Sequence, residues 1–317
     1  MDIQKKIAYA LMCFLVVSWG LEYIFAKQAL AIMKPIELLF IKYFIGIIVV
    51  FIMKLKTGDK IFIRKKDIPI LIACSVFGEI GYFGFEYYSL YYLPVSLITI
   101  ILAFVPAVSM IIEKIVYNRK SSKLMIFAIL LCVFGVAMVI GVDYKVLFQG
   151  RIIGYLLAFG AVFTWNAYNF ITASMHEEYE SISLTFMQLL CTLLILAPYS
   201  LTHLPPLSIY NPAVIGGIFY LGIFSAGLGC TIQVKSLHEL GPTTTALFSN
   251  FLPITATFFG WIILKETISN LQIIGGIIVI AAGYIVIKEK GKIEEISNQD
   301  KVVLKSNDEG RAEEQIQ

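Results

Sequence analysis

Apolar residues in this chain run in long unbroken stretches, and show neither the alternation of a half-buried strand nor the single stripe of a soluble amphipathic helix. A helix of about 20 apolar residues crosses the hydrocarbon core of a bilayer, and stretches of that length follow one another along the sequence. The pattern predicts ten membrane-spanning helices over approximately 7–27, 35–53, 68–90, 94–112, 124–141, 152–173, 181–199, 212–235, 242–263 and 269–287. Two junctions, Tyr91 to Pro94 and Leu237 to Pro242, are short enough to require tight hairpins between antiparallel neighbours. Pro35, Pro69, Pro94, Pro212 and Pro242 stand where a helix can begin without losing a backbone hydrogen bond.

Composition sharpens this picture. The chain is 58% hydrophobic and 15% charged, where soluble domains carry about a quarter charged residues, so a water-soluble enzyme is excluded. Lys54, Lys56, Lys60, Arg64, Lys65 and Lys66 fall between the second and third helices, and Lys114, Arg119, Lys120 and Lys123 between the fourth and fifth. The first outer loops hold only Lys27, Lys34, Lys145 and Arg151. Cytoplasmic loops are enriched in Lys and Arg, so the reading is a multi-pass protein of the cell (plasma) membrane with both termini in the cytoplasm. On that layout the inner segment from His176 to Glu180 lacks Lys and Arg; its acidic residues count weakly in the rule. The first apolar run has no small-residue cleavage site and reads as a retained helix. Residues 288–317 turn polar and charged, as in a disordered cytoplasmic tail.

The chain also matches itself. "SLYYLPVSLITIILAFVP", Ser89 to Pro106, overlies "SLHELGPTTTALFSNFLP", Ser236 to Pro253, and "FLVVSW" ending at Trp19 resembles "GAVFTW" ending at Trp165. Two repeats follow, 1–145 and 150–287, with five helices in each. An odd number of spans makes the halves enter the membrane from opposite sides. The expected fold is therefore all-α and polytopic, with two inverted-topology repeats, an arrangement in which secondary transporters bind solute near midplane at the repeat interface.

Polar groups inside the apolar runs are the candidate chemistry, because a charge in a bilayer needs a partner or a wet cavity. Ser75, Glu79, Tyr82 and Glu86 recur at spacings of four, three and four, which places them on one helical face. Glu22 in the first helix and Lys42 in the second should reach a depth similar to that of Glu86. The three can recognise a zwitterion, take up a coupling proton, or serve as an internal ion pair. Lys42 and Glu37 read more simply as structural. Trp19, Tyr23, Tyr82 and Trp165 supply aromatic walls, and Asn166, Asn169, Gln233, Thr245 and Ser249 neutral hydrogen-bonding groups, suited to an amphipathic organic solute. Five scattered cysteines inside apolar runs read as packing residues. No Walker-type phosphate loop and no "HExxH" pair is present, so neither enzyme chemistry nor a metal or other cofactor is expected, and no nucleic-acid partner.

These features resemble the EamA family of the drug/metabolite transporter superfamily. The resemblance rests on Ser18, Trp19 and Gly20, on the segment ending at Pro106, and on the second copy ending at Pro253 followed by "GWIILKETIS" from Gly260 to Ser269. Glu266 stands at the family's acidic loop position, whereas the first copy has Arg119 there, so Glu266 reads as a local cap. The resemblance implies that helices 1, 3, 4, 6, 8 and 9 line a central cavity and that helices 5 and 10 form a peripheral or dimer-forming pair. It further implies transport of a small organic metabolite, foremost an amino acid or related compound in the direction of export. Export of drugs or other hydrophobic metabolites is the alternative, and a nucleotide-sugar or sugar-phosphate carrier a third.

Overall fold

The computed structural model describes residues 3–58, 63–93, 95–118, 121–141, 151–175, 179–206, 211–264 and 267–314. Ten long helices make up nearly all of it: α1 Ile3–Ala29, α2 Pro35–Thr57, α3 Lys65–Ser89, α4 Leu97–Val116, α5 Lys123–Ile140, α6 Ile152–Met175, α7 Ser181–His203, α8 Pro212–Leu240, α9 Pro242–Ile263 and α10 Asn270–Glu314. Among the described residues, nine of these are long and apolar enough to cross a membrane. The remaining one, α6, has 24 residues, and its apolar run is interrupted by Asn166 and Asn169. Pro94, Arg119 and Glu266 lie outside the described residues. Helix ends differ from the sequence-based expectation: α1 begins at Ile3, and α8 continues to Leu240, where Gly241 at φ 75° supplies the left-handed turn into α9. The polar stretch from Lys288, expected as a disordered tail, continues α10 to Glu314; it contains no proline and is rich in the helix formers Lys and Glu.

Helix pairings obey an exchange of halves. α2 packs on α8 as α3 packs on α7, and α1 packs on α8 and α9 as α6 packs on α3 and α4. The pairs α2 with α7, α4 with α9 and α5 with α10 cross the pseudo-twofold axis. Large apolar side chains remain exposed around the bundle, among them Phe44 and Ile48 on α2, Phe127 and Phe134 on α5, and Ile277 and Ile280 on α10. That is the surface a bilayer covers.

The repeat extends to the irregularities. Residues Ser75–Tyr82 of α3 and Leu221–Gly229 of α8 form widened π turns at equivalent places in the two halves. Glycine permits this geometry: a Cβ on Gly81 would stand 2.7 Å from the Val76 carbonyl oxygen, and one on Gly229 would stand 3.0 Å from that of Phe224. Both carbonyls lie five residues back, where the widened turn brings them close. α4 and α9 break at Ala103–Phe104 and at Ser249–Phe251. Pro106 and Pro253 follow these breaks, and each lacks the N–H that the residue four positions earlier would otherwise receive.

α5 and α10 meet through Gly135 and Gly275. A Cβ on Gly275 would lie 2.7 Å from the Gly135 carbonyl oxygen and 2.7 Å from the Val139 backbone nitrogen, atoms that cannot rotate away. Gly275→Val is expected to lower stability by about 1–3 kcal/mol, whereas Gly276→Ala, with nothing within 4 Å, should be tolerated. Unfolding midpoints of the two variants in detergent measure the difference.

Candidate functional site

Where the halves meet, α1 and α3 bring their polar and aromatic residues face to face. Trp19, Glu22, Tyr23 and Ala26 of α1, Tyr82, Phe83, Glu86 and Tyr87 of α3, and Leu252 of α9 enclose a narrow cavity of about 20 Å³, room for roughly one water. Tyr23, Tyr82 and Leu252 are shared with an adjoining space walled by Thr99, Leu102, Val105, Trp165, Ser249 and Pro253. Tyr23, Leu252 and Pro253 also border a larger opening of about 260 Å³ that reaches Val139, Ile140, Thr257, Thr267 and Gln272. The path thus leads to the membrane face where α1, α5 and α9 end and α10 begins. At the opposite face α4, α9 and α10 close on one another: Lys290 pairs with Glu113 at 3.3 Å, and the Thr243 N–H at the start of α9 donates to the same carboxylate at 3.4 Å.

Two carboxylates meet the cavity in different electrostatic settings. Glu22 accepts from Lys42 Nζ at 2.6 Å, from the Tyr87 hydroxyl at 3.0 Å and from Ser225 Oγ. Lys42 is fully buried, and its ammonium lies 3.8 Å from the centre of the Phe83 ring, a cation–π arrangement. Glu86 accepts from the Tyr23 hydroxyl at 2.7 Å. Aromatic contacts fix the wall behind: Trp165 stands with its ring centre 5.8 Å from Trp19, 4.5 Å from Tyr82 and 5.2 Å from Tyr168.

Of the twelve residues singled out from the sequence, the structure gathers Trp19, Glu22, Tyr23, Tyr82, Glu86, Trp165 and Ser249 around this connected space. The other five lie elsewhere. Glu79 is 1% exposed, with the Cys230 thiol 3.9 Å from its carboxylate. Its separation from Tyr82 and Glu86 follows from the π turn, in which hydrogen bonds run five residues back rather than four; the four-residue spacing therefore does not keep Ser75 and Glu79 on the face of Glu86. Ser75 instead donates to the Gln188 carbonyl on α7 at 2.8 Å. Asn166 donates to the Val105 carbonyl beside the α4 break at 3.3 Å, Gln233 donates to Asn169 Oδ1 at 3.0 Å, and Thr245 donates to the Ser236 carbonyl at 3.1 Å. These bonds join helices to helices. Glu37 reaches back to the Lys34 N–H at 2.8 Å and caps α2.

Sequence reasoning passed over Phe83, Tyr87, Thr99, Leu252 and Ser225. Phe83 and Tyr87 carried a signal, since they flank Glu86 on the helix that bears it. Ser225 carried none, because its role depends on α8 packing beside α1. Among the helices expected to line the cavity, α1, α3, α4, α6 and α9 do so, while α8 contributes Ser225 behind Glu22 and not a wall. α5 and α10, expected at the periphery, border the outer part of the path.

A model of the EamA-like transporter family matches residues 6–141 and 152–288. The chain is 20% identical over 262 residues to the uncharacterized transporter YoaV of Bacillus subtilis (strain 168), covering 82% of this chain and 90% of that one. It is 22% identical over 275 residues to an uncharacterized transporter of Archaeoglobus fulgidus, covering 87% and 96%. A WAT1-related protein of Arabidopsis thaliana, At4g08300, is 26% identical over 159 residues, 49% of this chain and 42% of that one. A solved crystal structure superposes with a TM-score of 0.72 at 15% identity, covering 88% of this chain and 96% of the other, which establishes likeness of fold.

Proposed function

The chain belongs to the EamA-like transporter family, and on that premise we propose that it moves a small organic metabolite, an amino acid or related compound, across the cell membrane by alternating access, in the direction of export. The observation that carries this reading is the cavity at the repeat interface: it opens toward one membrane face, while Glu113, Thr243 and Lys290 join the helices at the other. A pseudo-twofold frame with one mouth open is half of an alternating-access cycle. The Lys and Arg distribution supports cytoplasmic termini, and on that layout the open mouth faces outward.

Aromatic walls accept an apolar body, and carboxylates orient a polar end. Protons are the proposed coupling ion, because a carboxylate such as Glu86 that holds solute in one state can hold a proton in another. The same aromatic walls support export of hydrophobic metabolites or drugs as a second reading. A nucleotide-sugar or sugar-phosphate carrier is disfavoured: it needs a cation free to meet phosphate, and Lys42 is already engaged by Glu22.

Counterflow of a labelled panel of amino acids and amines in proteoliposomes, with and without an imposed pH gradient, tests the proposal. Saturable exchange of particular members is expected, stimulated by the gradient. A folded protein that exchanges no member of the panel would shift the reading to hydrophobic metabolites; exchange indifferent to the gradient would remove the proton.

A further inference from the structure

Two carboxylates meet the cavity, and among the described residues only Glu22 has an ion-pair partner. Lys42, at 2.6 Å, neutralises it. Because the Lys42 ammonium sits over the Phe83 ring and is fully buried, Phe83, and not the cation, forms the cavity wall at that point. Glu86 is 3% exposed, and its hydrogen-bonding neighbours are neutral hydroxyls, those of Tyr23 at 2.7 Å and of Tyr82. Among the described residues it takes part in none of the ion pairs. A hydroxyl solvates a carboxylate without cancelling its charge, and a charge withdrawn from water is costly until a cation meets it. Around Glu86 stand Trp19, Tyr82, Phe83 and Tyr87, and the negative face of an aromatic ring attracts a cation as well.

We infer that the cavity selects an organic monocation, an amine on an apolar or aromatic body, and that Glu86 is the residue that selects it. The solute's ammonium supplies the ion-pair partner Glu86 lacks, and its apolar body extends past Tyr23 and Leu252 into the larger opening. A free carboxylate on the same solute finds no cation among the described residues that line the cavity, because Lys42 is committed to Glu22. The inference rests on the transporter reading of the same cavity and narrows an amino acid or related compound to an amine, ranked above the corresponding zwitterion.

Binding can be read apart from transport. Trp19 and Trp165 border the cavity, so tryptophan fluorescence of the full-length protein in nanodiscs reports occupancy by 2-phenylethylamine, 2-phenylethanol, L-phenylalanine and 3-phenylpropionate. The amine should bind tightest, about 10- to 100-fold tighter than the alcohol, the range of one charge-assisted contact. Glu86→Gln should bring the amine down to the level of the alcohol and leave the alcohol itself almost unchanged. A wild-type protein that prefers the alcohol, the zwitterion or the anion, or that binds none of the four, overturns the inference, as does a folded E86Q protein that keeps the amine preference. Should E86Q fail to fold, the wild-type ranking decides by itself. Counterflow of neutral or anionic solutes alone would overturn the inference and leave the transport reading standing. An amine-first ranking without counterflow of any solute would do the reverse.

Discussion

Replacing Lys42 by Met should lower the stability of the folded protein by about 3–5 kcal/mol, the range for breaking a buried ion pair from one side. The side chain is fully buried, and its partner Glu22 is 5% exposed. Once the ammonium is gone, Glu22 keeps the Ser225 and Tyr87 hydroxyls, and these neutral donors leave its charge unmatched. The double variant Glu22→Gln with Lys42→Met should regain most of the loss, because replacing both partners of a buried pair by groups of similar volume is often close to neutral. Unfolding midpoints of the wild type, the single variant and the double variant in detergent separate the cases. A single variant as stable as the wild type would show that the pair does not hold α1 to α2. A double variant no better than the single would assign the loss to the methionine's packing.

Trp165→Ala carries an effect of similar size for a different reason. The indole touches Trp19 on α1, Tyr82 and Phe83 on α3 and Tyr168 on its own helix, with ring centres between 4.5 and 6.4 Å away. It is 4% exposed, and truncating a buried Trp to Ala costs about 3–5 kcal/mol in lost contacts and residual void. Inside a bilayer, helix association depends largely on such packing, so the void should loosen α6 from both α1 and α3. Binding of 2-phenylethylamine should weaken alongside stability, and Trp165→Phe should recover part of both. Parallel measurement of midpoint and probe affinity checks this. An alanine variant with unchanged midpoint and unchanged affinity would remove Trp165 from both roles.

The two carboxylates of α3 show how far a spacing argument reaches. Glu79 and Glu86 are seven residues apart and share a face on a regular helix. Glu79 lies within the π turn over Ser75–Tyr82 and Glu86 beyond it, and the structure leaves Glu86 at the cavity and Glu79 against Cys230. Gly78 and Gly81 stand in that segment, yet glycine alone does not announce a π turn, since the same residues serve close helix packing. Asn166 and Asn169 present a related case: buried amides three residues apart suit a cavity lining or an interhelical bond equally well, and the positions of Val105 and Gln233 decide between them.

What the sequence determined by itself was the set of spans, the internal repeat and the stock of polar groups the membrane must accommodate. Span length follows from bilayer thickness, and an odd number of spans per repeat forces inversion, so both are local or arithmetic constraints that need no knowledge of contacts. Tertiary structure alone decided which of the polar groups share a space. Lys42 neutralises Glu22 because its side chain reaches from α2 to α1, Phe83 of α3 lies against that ammonium, and Glu86 has no ion-pair partner among the described residues. Charge compensation is a property of distances between helices far apart in the chain, and those distances are set by packing and by the π turns that rotate one part of a helix against the rest.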